Sequence, residues 1–324
     1  MARMLFLPVG LVVMLAVGLV WPAPGRYLLG LSYAGVTLGQ FVVVVIFFLS
    51  GYTLRLAQLW DNLNRPGPVV AAAALNLVLA PVLAVFFGLV FRLPEGVVIG
   101  LVVATAVPTT LSSAMIIAAQ SGGNQVLSLV LTVVLNLAGV FTTPLMVDLC
   151  LQVGADVELS YWELLAKLIL LVLLPLAAGY GAKKLVRREG GPLFGYISSG
   201  AVILFVWMTV SQSSDDLLTL TALELLAIVA VSLGLHLLLL GLGLLAGRLM
   251  RLDAPSVLAL GLSVGQKTLP VAMAVLLAIE QGGVSAALVA EAAVVCVVFH
   301  LLQIVGDSIL APWLAPRLGI RRAE

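Results

Sequence analysis

Apolar residues in this chain run in blocks of about twenty, and short clusters of Gly, Pro, Asn, Ser or charge separate them. Blocks of that length suit helices that cross a hydrocarbon core. They exclude a β-barrel, whose strands are about ten residues long and alternate in polarity. The pattern predicts about ten spans, near 4–21, 34–54, 68–91, 96–119, 125–151, 162–183, 195–212, 221–247, 255–279 and 284–315. Pro24-Gly25-Arg26, Asn62 to Pro68, Ser121-Gly122-Gly123-Asn124, Arg187 to Pro192, Ser213 to Asp216 and Gln281-Gly282-Gly283 supply the turns or charge between them.

The fourth and ninth blocks turn polar halfway along. Pro108-Thr109-Thr110-Leu111-Ser112-Ser113-Ala114-Met115 lines up with Gln266-Lys267-Thr268-Leu269-Pro270-Val271-Ala272-Met273, with Thr, Leu, Ala and Met at the same offsets. A proline in or beside each stretch removes a backbone donor and clashes with the preceding turn, so both helices should break. Bare N–H and C=O groups at membrane depth are tolerable only inside protein or beside a watery cavity. Paired breaks in corresponding halves point to the binding site of a secondary transporter. Division into five plus five spans places the halves in opposite orientations. The expected fold is therefore an all-α integral membrane protein with an inverted repeat and two crossing broken helices.

Composition agrees. Of 324 residues, 62% are hydrophobic and 10% are charged, against about a quarter charged in soluble domains. The basic start and apolar core of the first 21 residues have the outline of a signal peptide. The apolar run reaches Trp21-Pro22 without a usual small-residue cleavage site, so it is expected to stay as the first span. Cys150 and Cys296 fall in or beside apolar segments and read as packing residues rather than a disulfide or metal pair. A net charge of +1 gives no reason to expect a nucleic-acid partner. With both termini inside, Arg3, Arg55, Arg65, Lys183, Lys184, Arg187, Arg188, Arg248, Arg251, Arg317, Arg321 and Arg322 are cytoplasmic. Arg26, Arg92, Asp156, Glu158, Asp215, Asp216 and Glu280 fall outside. That is a strong positive-inside bias and predicts a multi-pass plasma membrane protein, bacterial inner membrane in type, with cytoplasmic termini.

Lys267 lies near the middle of the ninth span, where a lysine costs at least about 2.5 kcal/mol and marks a functional site by default. It is read either as a cation of the transport site or as a structural lysine held by carbonyls of the broken helix. Ser112, Ser113, Ser263, Gln266 and Thr268 flank the breaks. Ser128 and Thr132 lie one turn apart in the fifth span, and mid-membrane hydroxyls often bond back to their own helix. Asn76 and Asn136 should face the protein interior. Glu291, Gln303 and Asp307 share one face of the tenth span. Glu291 is the first candidate for a counter-ion to Lys267, and Asp307 is placed near the cytoplasmic end and solvated. Lys167 should snorkel and pair with Glu163, His236 and His300 read as helix-packing residues, and Gly241 to Gly247 as close helix contact. Phosphate loops, metal-ligand clusters and nucleophile–base pairs are missing from the sequence, which argues against an enzyme.

These residues resemble the bile acid:sodium symporter superfamily over essentially the whole chain, with a closer likeness to the branch of solute carrier family 10 member 7 and the fungal calcium-regulating membrane proteins. The likeness rests on Val107 to Ala114, Gly122-Gly123-Asn124, Thr143-Pro144-Leu145, Ile197-Ser198-Ser199, Gln266 to Leu269, and His300 to Gln303. It implies one transporter domain over 1–324, with a core of spans 3–5 and 8–10 moving against a panel of spans 1, 2, 6 and 7. By the resemblance, one sodium site would use Ser112, Ser113, Ser128 and Thr132, and a second would use Asn76. The superfamily's Glu-x-Gly-x-Gln-Asn signature here reads Ser263-Val264-Gly265-Gln266-Lys267-Thr268. A glutamate is lost, and lysine stands where a sodium-binding glutamine would be. The ammonium, a compact positive charge, is thus expected to replace at least one sodium.

The candidate substrate- and ion-binding residues are Asn76, Thr109, Thr110, Ser112, Ser113, Ser128, Thr132, Ser263, Gln266, Lys267, Thr268, Glu291 and Gln303. The expected function is secondary active transport of a small organic, anionic solute by alternating access, with Na⁺ or H⁺ as coupling ion and no cofactor. The alternative is a membrane regulator of calcium homeostasis that no longer transports, as the fungal likeness suggests.

Overall fold

The computed structural model describes residues 2–53, 66–110, 113–155, 160–186, 192–212, 214–219 and 221–320. Helix occupies each block that the apolar pattern marks. In chain order the helices are α1 (Ala2–Val20), α2 (Ala23–Leu29), α3 (Leu38–Thr53), α4 (Pro66–Phe91), α5 (Glu95–Ala106), α6 (Ser113–Gln120) and α7 (Gln125–Gly154). They continue as α8 (Tyr161–Val186), α9 (Pro192–Gln212), α10 (Ser214–Thr219), α11 (Ala222–Leu249), α12 (Ala254–Gly265), α13 (Leu269–Gln281) and α14 (Ala286–Arg317). A two-residue hairpin, Ser32–Tyr33 (β1) against Val36–Thr37 (β2), pairs Ser32 with Thr37 between α2 and α3.

Among the described residues, six helices are long and apolar enough to cross a membrane, counting Ala254–Gln281 as one. A seventh follows if α1 and α2, bent by 101°, form one span; α3, α5 and the Tyr196–Gln212 part of α9 are shorter apolar helices. Phe86, Leu89, Val153, Trp162 and Leu226 are exposed on the outside, as lipid-facing residues should be. The protein is an all-α membrane protein.

Two groups of helices pack among themselves. In one, α3 lies against α8 and α9, and α9 also holds α1 and α2. In the other, α5 packs on α4, α7 and α14, while α11 packs on α12 and α14. Glycine sets how closely these helices approach. A Cβ at Gly51 would overlap the Leu176 carbonyl of α8, and one at Gly179 would overlap the Phe48 carbonyl of α3. On α11, Gly243 and Gly247 sit against Gly261 and Val257 of α12, whereas Gly241 meets nothing within 4 Å. Cys150 and Cys296 are buried free thiols.

The interruptions follow from local chemistry. Val107 is extended, with φ −74° and ψ 153°, as the residue before a proline prefers. Gln266 and Thr268 are extended too, and α13 then restarts with Pro270 in its first turn, where a missing N–H is harmless. Nearly every residue of α5 and α12 is buried. The two breaks therefore lie inside protein, and they touch: the Thr268 N–H donates to the Pro108 carbonyl at 2.9 Å.

Candidate functional site

The breaks expose the carbonyl ends of two half-helices, and two long polar side chains cover them. Asn76 lies in a π-helical turn of α4, Ala74–Leu79. Its Nδ2 lies 3.1, 3.0 and 3.2 Å from the carbonyls of Ser263, Val264 and Gln266 and shares its two N–H groups among them, so it closes the end of α12. Lys267 does the same for α5. Its Nζ donates to the carbonyls of Thr105 at 2.6 Å and Val107 at 3.2 Å, and to the carbonyl of Asn76. The last acceptor is free for a reason legible in the chain. Within the wide turn, the Ala80 N–H goes to the Leu75 carbonyl. The next donor along the helix would belong to Pro81, which has no N–H.

Lys267 is 2% exposed. Its amine rests on the negative ends of backbone dipoles, where cations are favoured, and not on a carboxylate. The expected counter-ion is corrected accordingly. Glu291 lies against Gly96 at the start of α5, and it precedes Gln303 on α14 by three turns and more, about 18 Å of helix. Gln303 of α14 reaches the break instead. Its Oε1 accepts from the Lys267 N–H at 2.8 Å, and its Nε2 donates to the Lys267 carbonyl at 2.6 Å. At the other break, Asn136 of α7 donates to the Thr109 carbonyl at 3.0 Å.

Gln266 joins the two breaks. Its Oε1 accepts from the hydroxyls of Thr110 and Ser113, each at 2.7 Å. Its Nε2 donates to Asp307 Oδ2 at 2.8 Å, and Asp307 Oδ1 lies 2.9 Å from His236 Nε2. Asp307 and His236 are both fully buried, so the solvated reading of Asp307 is corrected. Both histidines belong to this polar layer rather than to simple packing, since His300 Nδ1 lies 3.2 Å from the Lys267 carbonyl and 2.8 Å from Gln303 Nε2. Lys167 donates to the Ala278 carbonyl at 3.1 Å and makes no ion pair with Glu163.

The remaining candidates divide. Ser112 lies outside the described residues. Ser128 and Thr132 are buried, yet their hydroxyls have no partner, so they do not bond back to their own helix. The hydroxyls of Thr109 and Ser263 and the Oδ1 of Asn76 are likewise buried without a partner. Thr268 contributes its backbone N–H. Among the described residues no group of three or more His, Cys, Asp or Glu side chains could hold a metal. The spare hydroxyls are neutral oxygen donors of the kind hard cations accept, although Ser113 is engaged with Thr110 and Gln266. Sequence reasoning missed His236, and misplaced Asp307 although its spacing from His300 and Gln303 puts all three on one helix face. The carbonyls of Thr105 and Val107 had no side-chain signal at all.

Beside the crossing lies a small cleft of about 20 Å³ between the two helix groups, bounded by Phe47, Leu168, Leu176, Pro108, Asn136 and Val271. Among the described residues, Asn136 is its one polar side chain. Lys267 does not line it.

Two interrupted helices laced together inside an apolar bundle, with a cleft at their crossing, define a membrane transporter of the secondary type. Over residues 6–316 the chain matches the SBF-like CPA transporter family, and it belongs to that family. It is 31% identical to a rice protein named "Probable sodium/metabolite cotransporter BASS4, chloroplastic", over 96% of this chain and 76% of the relative. It is 28% identical to a Bacillus subtilis protein named "Uncharacterized sodium-dependent transporter YocS", over 73% of this chain and 71% of that one. With the Xenopus laevis protein named "Sodium/bile acid cotransporter 7-B" it shares 25% identity, over 60% of this chain and 59% of the other. These are transporters, not enzymes.

Proposed function

We propose that this protein moves a small organic anion across the membrane by alternating access, with Lys267 standing permanently where a relative would bind one coupling cation. The observation that carries this reading is the triple carbonyl cradle around the Lys267 ammonium. Three converging backbone oxygens with no acidic partner are a set of ligands suited to a bare monovalent cation. Solute would reach the crossing when the two helix groups move apart along this cleft. The half-helix N-termini at α6 and α13 favour an anion there, as bare N–H groups do. The names of the relatives support sodium as coupling ion in the family, and in this chain the Lys267 ammonium takes its place.

The same reading takes the α3, α8, α9 and α1 group as a panel and the rest as a core. It arranges ten crossings as an inverted five-plus-five repeat. Its support is the reciprocal lacing of the breaks: Asn136 reaches Thr109 from the helix after the first break, and Gln303 reaches Lys267 from the helix after the second. It sets both termini in the cytoplasm. Arg26 and Asp215, both assigned to the outer side, form an ion pair at 2.7 Å. Asn124 donates from its N–H to the Pro255 carbonyl at 2.9 Å, joining two loops assigned to the inner side.

The test is uptake by the purified protein in liposomes, with solutes first found by thermal stabilisation across organic acids, with and without sodium. Saturable uptake of an anion supports the reading. A pool of acids that neither stabilises nor enters would overturn it and favour the non-transporting regulator.

A further inference from the structure

Both ring nitrogens of His236 face oxygens that accept. Nδ1 lies 3.2 Å from the Gly265 carbonyl and Nε2 lies 2.9 Å from Asp307 Oδ1. A carbonyl has no proton to give, and a neutral imidazole has one N–H. A neutral histidine beside an ionised Asp307 would therefore set a lone pair against a lone pair at one of the two contacts, between fully buried side chains. The arrangement is satisfied in two ways. Either the imidazole carries both protons beside a carboxylate, or Asp307 is a carboxylic acid that donates to Nε2. Each holds one proton more than the ordinary pair of neutral histidine and aspartate.

We propose that His236 and Asp307 form a proton-binding site and that this proton is the ion exchanged during transport, an inference that rests on the transport reading above. The site is placed to act on the crossing. Gly265 is the last residue of α12 before the break, and Asp307 Oδ2 holds Gln266, which in turn holds Thr110 and Ser113 of the other break. A Cβ at Gly265 would lie 3.3 Å from the His236 ring, so the ring rests directly on the end of the half-helix. Loss of the proton to water leaves a neutral imidazole and a carboxylate. One of the two contacts then repels, and either the Gly265 carbonyl or Asp307 must move. Either motion pulls on the break.

Other charges do not supply this behaviour. Lys267, just past α12, is bound to carbonyls, and His300 on α14 faces Lys267 and Gln303. Cys296 on α14 donates to the Gly100 carbonyl. Glu224 and Arg248 sit at the two ends of α11, Glu291 and Arg317 toward the two ends of α14, and Glu95 and Glu280 at the far ends of α5 and α13. Residues 66–91 of α4 and the whole of α6 carry no ionisable side chain.

The chain contains 2 histidines, so protein labelled with ¹⁵N-histidine gives two imidazoles, and His236→Asn assigns them. In lipid at neutral pH, we expect His236 to carry N–H on both ring nitrogens. The other expected form has N–H on Nδ1 alone together with an infrared carboxylic-acid band that Asp307→Asn abolishes. A single N–H on either ring nitrogen, with no acid band, overturns the site. In liposomes, an imposed proton gradient should raise accumulation of small mono- and dicarboxylates, read by mass spectrometry, and Asp307→Asn should abolish the gradient's effect. Wild type that takes up these acids but ignores the gradient overturns the coupling. Wild type that moves none of them under any gradient defeats the transport reading instead, and the ring spectrum then decides the proton site by itself.

Discussion

Replacing Lys267 with alanine removes an ammonium and leaves three buried carbonyls, those of Asn76, Thr105 and Val107, without a donor. Each unsatisfied buried acceptor costs about 1–3 kcal/mol, so the gross penalty is roughly 3–9 kcal/mol. Against this stands the relief from no longer burying a charge, itself several kcal/mol. The acceptors outnumber the charge relieved, so a net loss of stability is expected, together with loss of transport. The vacated space is walled by three backbone oxygens, neutral oxygen ligands of the kind a hard cation accepts. Sodium should therefore bind the variant and not the wild type. At a hundred times its dissociation constant, it would restore about 2.7 kcal/mol. The assay is thermal unfolding of both proteins in sodium against choline, followed by uptake in the same two media. A sodium-dependent rise in melting temperature confined to Lys267→Ala is the expected result. Equal melting in both salts, or full transport by the variant without sodium, would refute the idea that the lysine occupies a cation's place.

Further outcomes follow from particular contacts. Asn76→Ala should destabilise the protein by about 2–4 kcal/mol, because the end of α12 loses its donor; unchanged thermal unfolding would count against that role. Gly179→Val should prevent recovery of folded protein, since its side chain would collide with the Phe48 carbonyl, whereas Gly181→Val, which meets nothing within 4 Å, should fold normally. With single cysteines added, an impermeant reagent applied to intact cells should label Ala155→Cys and spare Leu185→Cys, and the reverse pattern would invert the topology. Removing external sodium should leave wild-type uptake largely unchanged if the Lys267 ammonium and a proton together do the work of the coupling ions.

Much of this architecture was written in local sequence. Blocks of apolar residues about twenty long demand helix wherever water is absent, because only internal hydrogen bonds can satisfy the backbone there. Pro108 and Pro270 fix where two of those helices stop or restart, whatever surrounds them. The isolated lysine between such prolines marked the centre of the site for the same reason: a buried charge is too costly to keep without a use. What local sequence could not specify was the partners. A lysine finds its acceptors among backbone carbonyls, and every residue carries one, so nothing in the letters distinguished Thr105 and Val107 from their neighbours. Glu291 looked suitable as a counter-ion by charge alone, and only the rise along α14 separates it from Lys267. His236 and Asp307 lie on different helices, far apart in the chain, and each taken singly reads as ordinary. Folding brought them to 2.9 Å beside the end of α12, and that proximity turns two unremarkable residues into a place that must hold a proton. Periodicity and proline chemistry act through neighbours in the chain, so the sequence determined them. Hydrogen-bond pairing across the bundle depends on how helices cross, and that was decided only in three dimensions.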